Sequence, residues 1–313
     1  MTEPLPKIVP RSCPLPEGFP DVVVHASTED PERSKKNPHV DELYEKAKRG
    51  GDTDAAIELA HIMVSPDKVS DLVSKYDKEK PVIIPVLGME KDSINKIPLA
   101  LAKEIGAQTG WDVQADVFQV RKEGRTGMGG TSRFTAQASF EGEIDPKRKF
   151  VLVDDHAAMG GTLRNLADHI MQQGGEVLAM STMTAGRNGQ KVAPSPKAIN
   201  RLNQEYGQDA AKLHKEMFGL PEPEGERAIR DSKKLRPDST LLTHGEACYL
   251  SGYEGGLDKF REDAHKDIAK IRAKSAVEKI AGSVQVAEGG MSSPNNTPKN
   301  EEKGATKGGG ASK

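Results

Sequence analysis

Two successive aspartates, Asp154 and Asp155, close the apolar run of the segment FVLVDDHAAMGGTL (Phe150 to Leu163), and small residues, two glycines and a threonine follow. An apolar run without alternation reads as a parallel strand covered on both faces. Carboxylates at the carboxyl end of such a strand lie where open α/β sheets bind ligands. The turn that follows opens a helix whose first amides, framed by Gly160, Gly161 and Thr162, hold an anion through hydrogen bonds and the helix dipole. Two acidic groups just before an anion cradle suit a ligand with hydroxyls or a metal ion at one end and a phosphate at the other. Ribose 5-phosphate has that form. A solvated strand end with a polar turn is the plainer reading of the same residues.

A second segment carries cations. RKEGRTGMGGTSR sets Arg121, Lys122, Arg125 and Arg133 among glycines, which reads as a solvated loop or, from its place between a strand and the aspartate strand, as a functional one. It nearly spells a P-loop, but a glycine stands where the phosphate-binding lysine is required, and Ser132 stands where a dinucleotide fingerprint needs its third glycine. The eight histidines show no HExxH or other metal-ligand spacing, so no dedicated protein-ligated metal site is expected.

These residues need a sheet to hold them. PVIIPVLG is an apolar run rich in branched residues, IPLALAKEIGAQTG reads as a helix with Leu99, Ala102 and Ile105 inward, and WDVQADVFQV and FTAQASFEGEI read as strands. After KFVLVDD comes a helix burying Leu163, Leu166, Ala167, Ile170 and Met171, closed by Gly174 and Gly175, and then the strand EVLAMSTMT. Strands alternating with crossover helices predict an α/β fold, a central parallel sheet with flanking helices, over residues 81–185. Ahead of it lie a mostly irregular lead-in (1–38), with DVVVHAS a short strand, and a helical hairpin or cap (39–80) on Val40, Leu43, Tyr44 and Ala47, then Ala56, Leu59, Ala60 and Met63. Behind it come a helical extension (186–282) and a tail (283–313) rich in Gly, Ser, Asn and Lys that is expected to be disordered.

Composition removes several function classes. With 45 basic and 47 acidic residues the net charge is −2, so the bulk balance offers no attraction to nucleic acid. Aromatic residues make up 4% of the chain, too few for a stacking platform. Cys13 and Cys248 form neither a disulfide framework nor a zinc site. No run reaches membrane-spanning length, and the proline-rich start lacks the apolar stretch of a secretory signal. A cytoplasmic protein with small-molecule substrates, and with neither nucleic acid nor membrane as partner, is the expectation.

VLVDD, a short spacer and GGTL, in that order, resemble the phosphoribosyl-diphosphate motif of the type I phosphoribosyltransferases, and the likeness extends over Pro81 to Ala185. The resemblance implies that Asp154 and Asp155 take the ribose hydroxyls. It puts the loop His156, Ala157, Ala158, Met159, Gly160, Gly161 and Thr162 on the 5-phosphate. It also implies a pyrophosphate loop at Gly88 and Met89, with Asn95 as helix cap, and a closing loop in which Lys122 or Arg125 neutralises the departing diphosphate beside Arg121 and Arg133. Magnesium is expected to come with substrate, near Asp154 and Asp155. The implied activity is transfer of the phosphoribosyl group to a nitrogenous base with release of pyrophosphate, a glycosyltransferase reaction of nucleotide metabolism. No motif names the base, and homodimerisation is left open.

The chain also departs from that pattern. Where the family has two hydroxyl-bearing residues it has Ala158 and Met159, and each lost hydroxyl bond to a charged group removes about 1.5 to 3 kcal/mol. Six-oxopurine members carry an aspartate at the place of Ala158, so that chemistry is not expected. His156, at a position apolar in the family, is a replacement ligand or a packed spacer. A catalytically inactive module that binds phosphoribosyl diphosphate or a nucleotide is the alternative to a transferase.

Overall fold

The computed structural model describes residues 11–27, 29–88, 94–121, 130–219, 234–235 and 240–289. Met89, Lys122 and Arg125, and the tail beyond 289, lie outside the described residues. The chain divides into two units, Met1–Ile271 and Arg272–Lys313. In the second, the described residues are helical as far as Gly289, past the boundary of 283 expected for disorder.

The first unit is built on a parallel sheet in the order β1 (Val23–Val24), β7 (Glu176–Ala185), β6 (Lys149–Ala157) and β2 (Val82–Pro85). All three pairings are parallel, and β6 lies between β7 and β2. That position explains why its sequence does not alternate. Val151 and Val153 pack among helices α1 (Pro38–Arg49), α2 (Thr53–Met63), α3 (Pro66–Tyr76) and α4 (Ile97–Thr109). Phe150 and Leu152 pack on the other side with Leu163, Leu166, Ala167 and Ile170 of α6 (Gly161–Gln172). Helices cover both faces of the sheet and bury the run Phe150 to Asp155 of β6 without a break, which is the α/β architecture the sequence predicts.

A smaller sheet, β3 (Leu87–Gly88), β4 (Phe118–Arg121) and β5 (Ser139–Glu141), adjoins in sequence, with β3 and β4 parallel and β4 and β5 antiparallel. The strands expected there are shorter than their apolar patterns. Of WDVQADVFQV only the last part pairs as β4, with Val113 making a single bridge to Ile83. Part of the predicted basic loop and of the strand FTAQASFEGEI is helix α5 (Gly130–Thr135), because Phe134 is fully buried against Tyr249 and Phe260, and this packing overrides the local pattern.

The predicted hairpin is three helices. Asn37 caps α1 through His39 N–H, Asp52 caps α2 through Ala55 N–H, and Ser65–Pro66 starts a third. In the extension, Gly207 separates α7 (Pro196–Tyr206) from α8 (Gln208–Phe218). A capping box of Thr243 and Glu246 starts α9 (His244–Ser251), and α10 follows (Gly256–Gly289). The lead-in is irregular as expected, yet it belongs to the core. β1 adds to the sheet, Arg11 is buried, and the backbone N–H groups of Ser12 and Cys13 donate to Asp168 on α6 at 2.9 to 3.2 Å.

Two buried histidines tie the flanking layers together in their neutral form. Ser65 N–H donates to His25 Nδ1 at 3.1 Å, so Nε2 carries the proton and donates to Ser181 Oγ at 3.0 Å. Leu241 N–H donates to His214 Nε2 at 3.0 Å, with Phe218 stacked nearby. Burial, with the charge of Lys68 for one and Arg11 for the other, lowers each imidazole to about 4. Between pH 6.5 and about 4 the unfolded chain therefore binds protons that the folded chain refuses, so stability falls as pH falls through that window. Urea titrations should show a loss of about 3 kcal/mol per histidine across it. His25→Gln and His214→Gln should each flatten that slope, and an unchanged slope in both variants would refute the assignment.

Candidate functional site

Successive side chains on a strand point to opposite faces, so the adjacent aspartates of β6 diverge. Asp155 continues the row of Val151 and Val153 toward the N-terminal helices, and Asp154 continues the row of Phe150 and Leu152. Both are buried. Asp155 N–H donates to Asp154 Oδ1 at 2.8 Å. Asp155 Oδ2 accepts from Lys48 Nζ at 2.5 Å and from Asn95 Nδ2 at 3.1 Å. Lys48 Nζ also donates to Tyr44 Oη at 2.8 Å.

Burial dominates the electrostatics of this group. It pushes the Asp154 carboxyl well above the usual carboxylate range, reinforced by the negative charge of Asp155. Burial would raise Asp155 as well, but the Lys48 ammonium and the hydrogen bonds from Lys48 and Asn95 override it and hold that carboxyl below the usual range. For Lys48, burial opposes the charged form, and the Asp155 carboxylate outweighs burial and raises the group. Tyr44 is pushed up to about 12 by burial and by Asp155. The edge thus favours one ionised carboxylate, matched by one ammonium.

Asn95 links this edge to the next strand. Its N–H donates to Gly88 O at 3.1 Å, and its Oδ1 accepts from Ile97 N–H at 3.2 Å, the capping contact expected of it, although Lys96 is the residue at the helix boundary. One further polar group belongs here. Thr182 lies in register with Asp154 on β7, is fully buried, and its hydroxyl has no hydrogen-bond partner among the described residues.

The loop after β6 has its carbonyl groups engaged. Ala157 O accepts from Gly186 N–H at 2.9 Å, Met159 O from Thr243 Oγ1 at 2.6 Å, Gly160 O from Arg164 N–H at 3.0 Å, and Gly161 O from Arg11 Nη2 at 3.3 Å. Gly160 takes the left-handed conformation (φ 78°) as the first residue of the turn into α6 and supplies no side-chain cap. The first-turn amides of α6 have no intrahelical acceptor, so the loop is polarised, with the carbonyls of Ala157, Met159, Gly160 and Gly161 accepting hydrogen bonds and no side-chain cap from Gly160. Gly189 packs against it so closely that a Cβ there would lie 1.8 Å from Ala157 O.

Of the residues expected to act, the structure brings together Asp154, Asp155 and, through Asn95, Gly88. Ala157, Ala158, Met159, Gly160, Gly161 and Thr162 form the loop and helix start. His156 is exposed, its Nδ1 2.8 Å from Thr184 Oγ1. Arg121 ends β4 and Arg133 lies in α5. Lys48, Tyr44 and Thr182 were not singled out by sequence. Lys48 sits among Lys46 and Arg49 at the end of α1, with nothing local to distinguish it.

This donor set does not suit a divalent ion held directly on Asp155 Oδ2, which already accepts from Lys48 and Asn95, whereas magnesium carried in by a substrate would take ligands from the substrate's own oxygens. A divalent ion on Asp155 Oδ2 would stand against an ammonium already 2.5 Å from that oxygen. Among the described residues, no group of three or more His, Cys, Asp or Glu could hold a metal ion.

No family model matches the chain. It is 38% identical over 176 residues to Protein TraN of Escherichia coli and 32% identical over 158 residues to an uncharacterized protein of Haemophilus influenzae. These matches cover 56% and 50% of this chain but only 39% and 33% of those relatives. Solved structures with local likeness include an adenine phosphoribosyltransferase from Thermoanaerobacter pseudethanolicus (12% identity, 43% of this chain and 87% of that one, TM-score 0.28). Others are a purine phosphoribosyltransferase from Pyrococcus horikoshii (18%, 38% and 81%, 0.25) and a phosphoribosyltransferase from Corynebacterium diphtheriae (14%, 49% and 98%, 0.25). Likeness at these scores carries no inference about activity. No helix among the described residues is long and apolar enough to cross a membrane.

Two substitutions test the geometry without a ligand. Thr182→Val removes a buried hydroxyl that has no partner and should raise stability by about 1 kcal/mol in urea titration; a loss of that size would mean the hydroxyl is bonded. Gly189→Ala must force Gly189 and Ala157 apart and should lower stability by about 1 to 3 kcal/mol, with amide exchange of residues 157–161 accelerated. A silent Gly189→Ala would show that the close approach is not kept in solution.

Proposed function

We propose that the edge formed by β6 and α6 binds the ribose 5-phosphate part of a phosphoribosyl donor, and that the protein transfers this group to a nitrogenous base. The observation that carries the reading is the continuity of Asp154 and Asp155 with a loop whose carbonyls are engaged and whose helix opens at an uncapped glycine. Asp155 accepts from a ribose hydroxyl, and the α6 amides hold the 5-phosphate. The unpaired hydroxyl of Thr182 supports a polar ligand beside Asp154. In the transfer itself, the bond from the anomeric carbon to the diphosphate oxygen breaks and the diphosphate leaves with the electron pair. A base nitrogen forms the new bond to carbon and gives up its proton. The basic segment from Arg121 to Arg133 supplies cations for the departing diphosphate.

A second reading, a binding module without transfer, is favoured by Ala158 and Met159, which remove hydroxyl partners of the phosphate, and by the Lys48 contact on Asp155. One assay separates the two. Purified protein with phosphoribosyl diphosphate and a panel of bases should release pyrophosphate with one or more bases, and Asp154→Asn/Asp155→Asn should abolish the release. Donor binding by calorimetry without turnover across the panel would establish the module, and absence of donor binding would sink both.

A further inference from the structure

The three basic residues ending α1 divide by partner. Lys46 pairs with Glu42 at 2.7 Å and Arg49 with Glu45 at 2.8 Å, both along the exposed face of their own helix. Lys48 instead turns inward to a residue 107 positions away, where it is one of two donors on a single carboxylate oxygen. Tyr44, one turn earlier, receives a second of its three N–H bonds, and Lys35 Nζ lies 3.8 Å from the centre of the Tyr44 ring. An ammonium group has three donors, and two are accounted for among the described residues. The third faces the partly exposed rim of the edge, where the Lys48 side chain keeps 22% of its surface.

From this geometry we infer that Lys48 is the resident cation of the aspartate edge, standing where a divalent ion would otherwise balance Asp155. A sugar diol there finds donor and acceptor together: one hydroxyl donates to Asp155 while it or its neighbour accepts from Lys48. The choice of sugar phosphate as ligand rests on the function proposed above; the replacement of metal by lysine does not. The edge therefore selects a neutral polyol and disfavours a free divalent ion, whose charge would be repelled by Lys48 at close range. This also fits the finding that, among the described residues, no group of three or more His, Cys, Asp or Glu could hold a metal ion.

Titration with Mn2+ alone, followed by its electron paramagnetic signal, tests the replacement on the native protein. Wild type should show no site that Asp155→Asn removes, and Lys48→Met should gain one at least about tenfold tighter than any in wild type. A wild-type Mn2+ site abolished by Asp155→Asn would overturn the inference, and that measurement needs no folded Lys48 variant. Ribose 5-phosphate is the second probe. Its affinity for wild type should agree within about threefold in EDTA and in magnesium, and Lys48→Met should weaken it about tenfold in EDTA. A magnesium requirement in wild type, or tighter binding by Lys48→Met, would refute the role of Lys48. No binding of ribose 5-phosphate by wild type in either buffer would remove the sugar-phosphate reading, while the Mn2+ result would still decide whether lysine replaces metal.

Discussion

A buried guanidinium holds this fold in one arrangement. Arg11 donates to both oxygens of Glu246 at 2.6 and 2.8 Å, to Asn165 Oδ1 at 2.5 Å and to Leu241 O at 2.8 Å. Arg11 belongs to the lead-in, and its partners come from α6 and from the start of α9 with the residues just before it, all 150 or more positions away in sequence. A buried ion pair contributes little net stability, because desolvation offsets much of the attraction, but removing one partner leaves a charge stranded in the interior. Glu246 also closes the capping box of α9 through Thr243, and the hydroxyl of that threonine holds Met159 O. The loop after β6 is thus set by contacts that begin outside the α/β core.

The second charge cluster on α6 follows the same logic. Arg164 and Asp168 are buried one turn apart and pair at 3.4 Å, and Asp168 receives two backbone N–H groups from the lead-in. Burial lowers the Arg164 guanidinium to about 10, with the charge of Arg11 adding to the effect. Polar residues inside a helix that otherwise buries Leu163, Leu166 and Ile170 mark where the lead-in is fastened. This is why a proline-rich segment without periodicity is nonetheless part of the interior.

The sheet centre was legible from sequence because its physics is local. A run without alternation marks β6, a 3.6-residue period marks α6, and Gly174 and Gly175 stop it before β7. The aspartates were legible for the same reason, since the end of a buried strand is a fixed place in such a sheet. Their environment was not. Lys48 reaches Asp155 across 107 residues, and no pattern on α1 distinguishes an inward lysine from its outward neighbours. Thr182 is one of three hydroxyl residues of β7, with Ser181 and Thr184, and nothing in the strand's sequence sets it apart. Helix α5 escaped notice because the aromatic packing of Phe134 with Tyr249 and Phe260 settled a stretch whose own residues favour neither state.

The engaged carbonyls of the loop bear on where its recognition is encoded. Ala158 and Met159 are the residues a reader of the motif inspects, yet the orientation of the peptide units is held by Gly186, Thr243 and Arg11, with Gly189 leaving room beside Ala157. A graft of Phe150 to Leu163 into another parallel sheet would carry the letters of the motif without these clamps. Its peptides would lack their partners and would be free to rotate. The portable unit is the segment together with three distant fixings, not the segment alone.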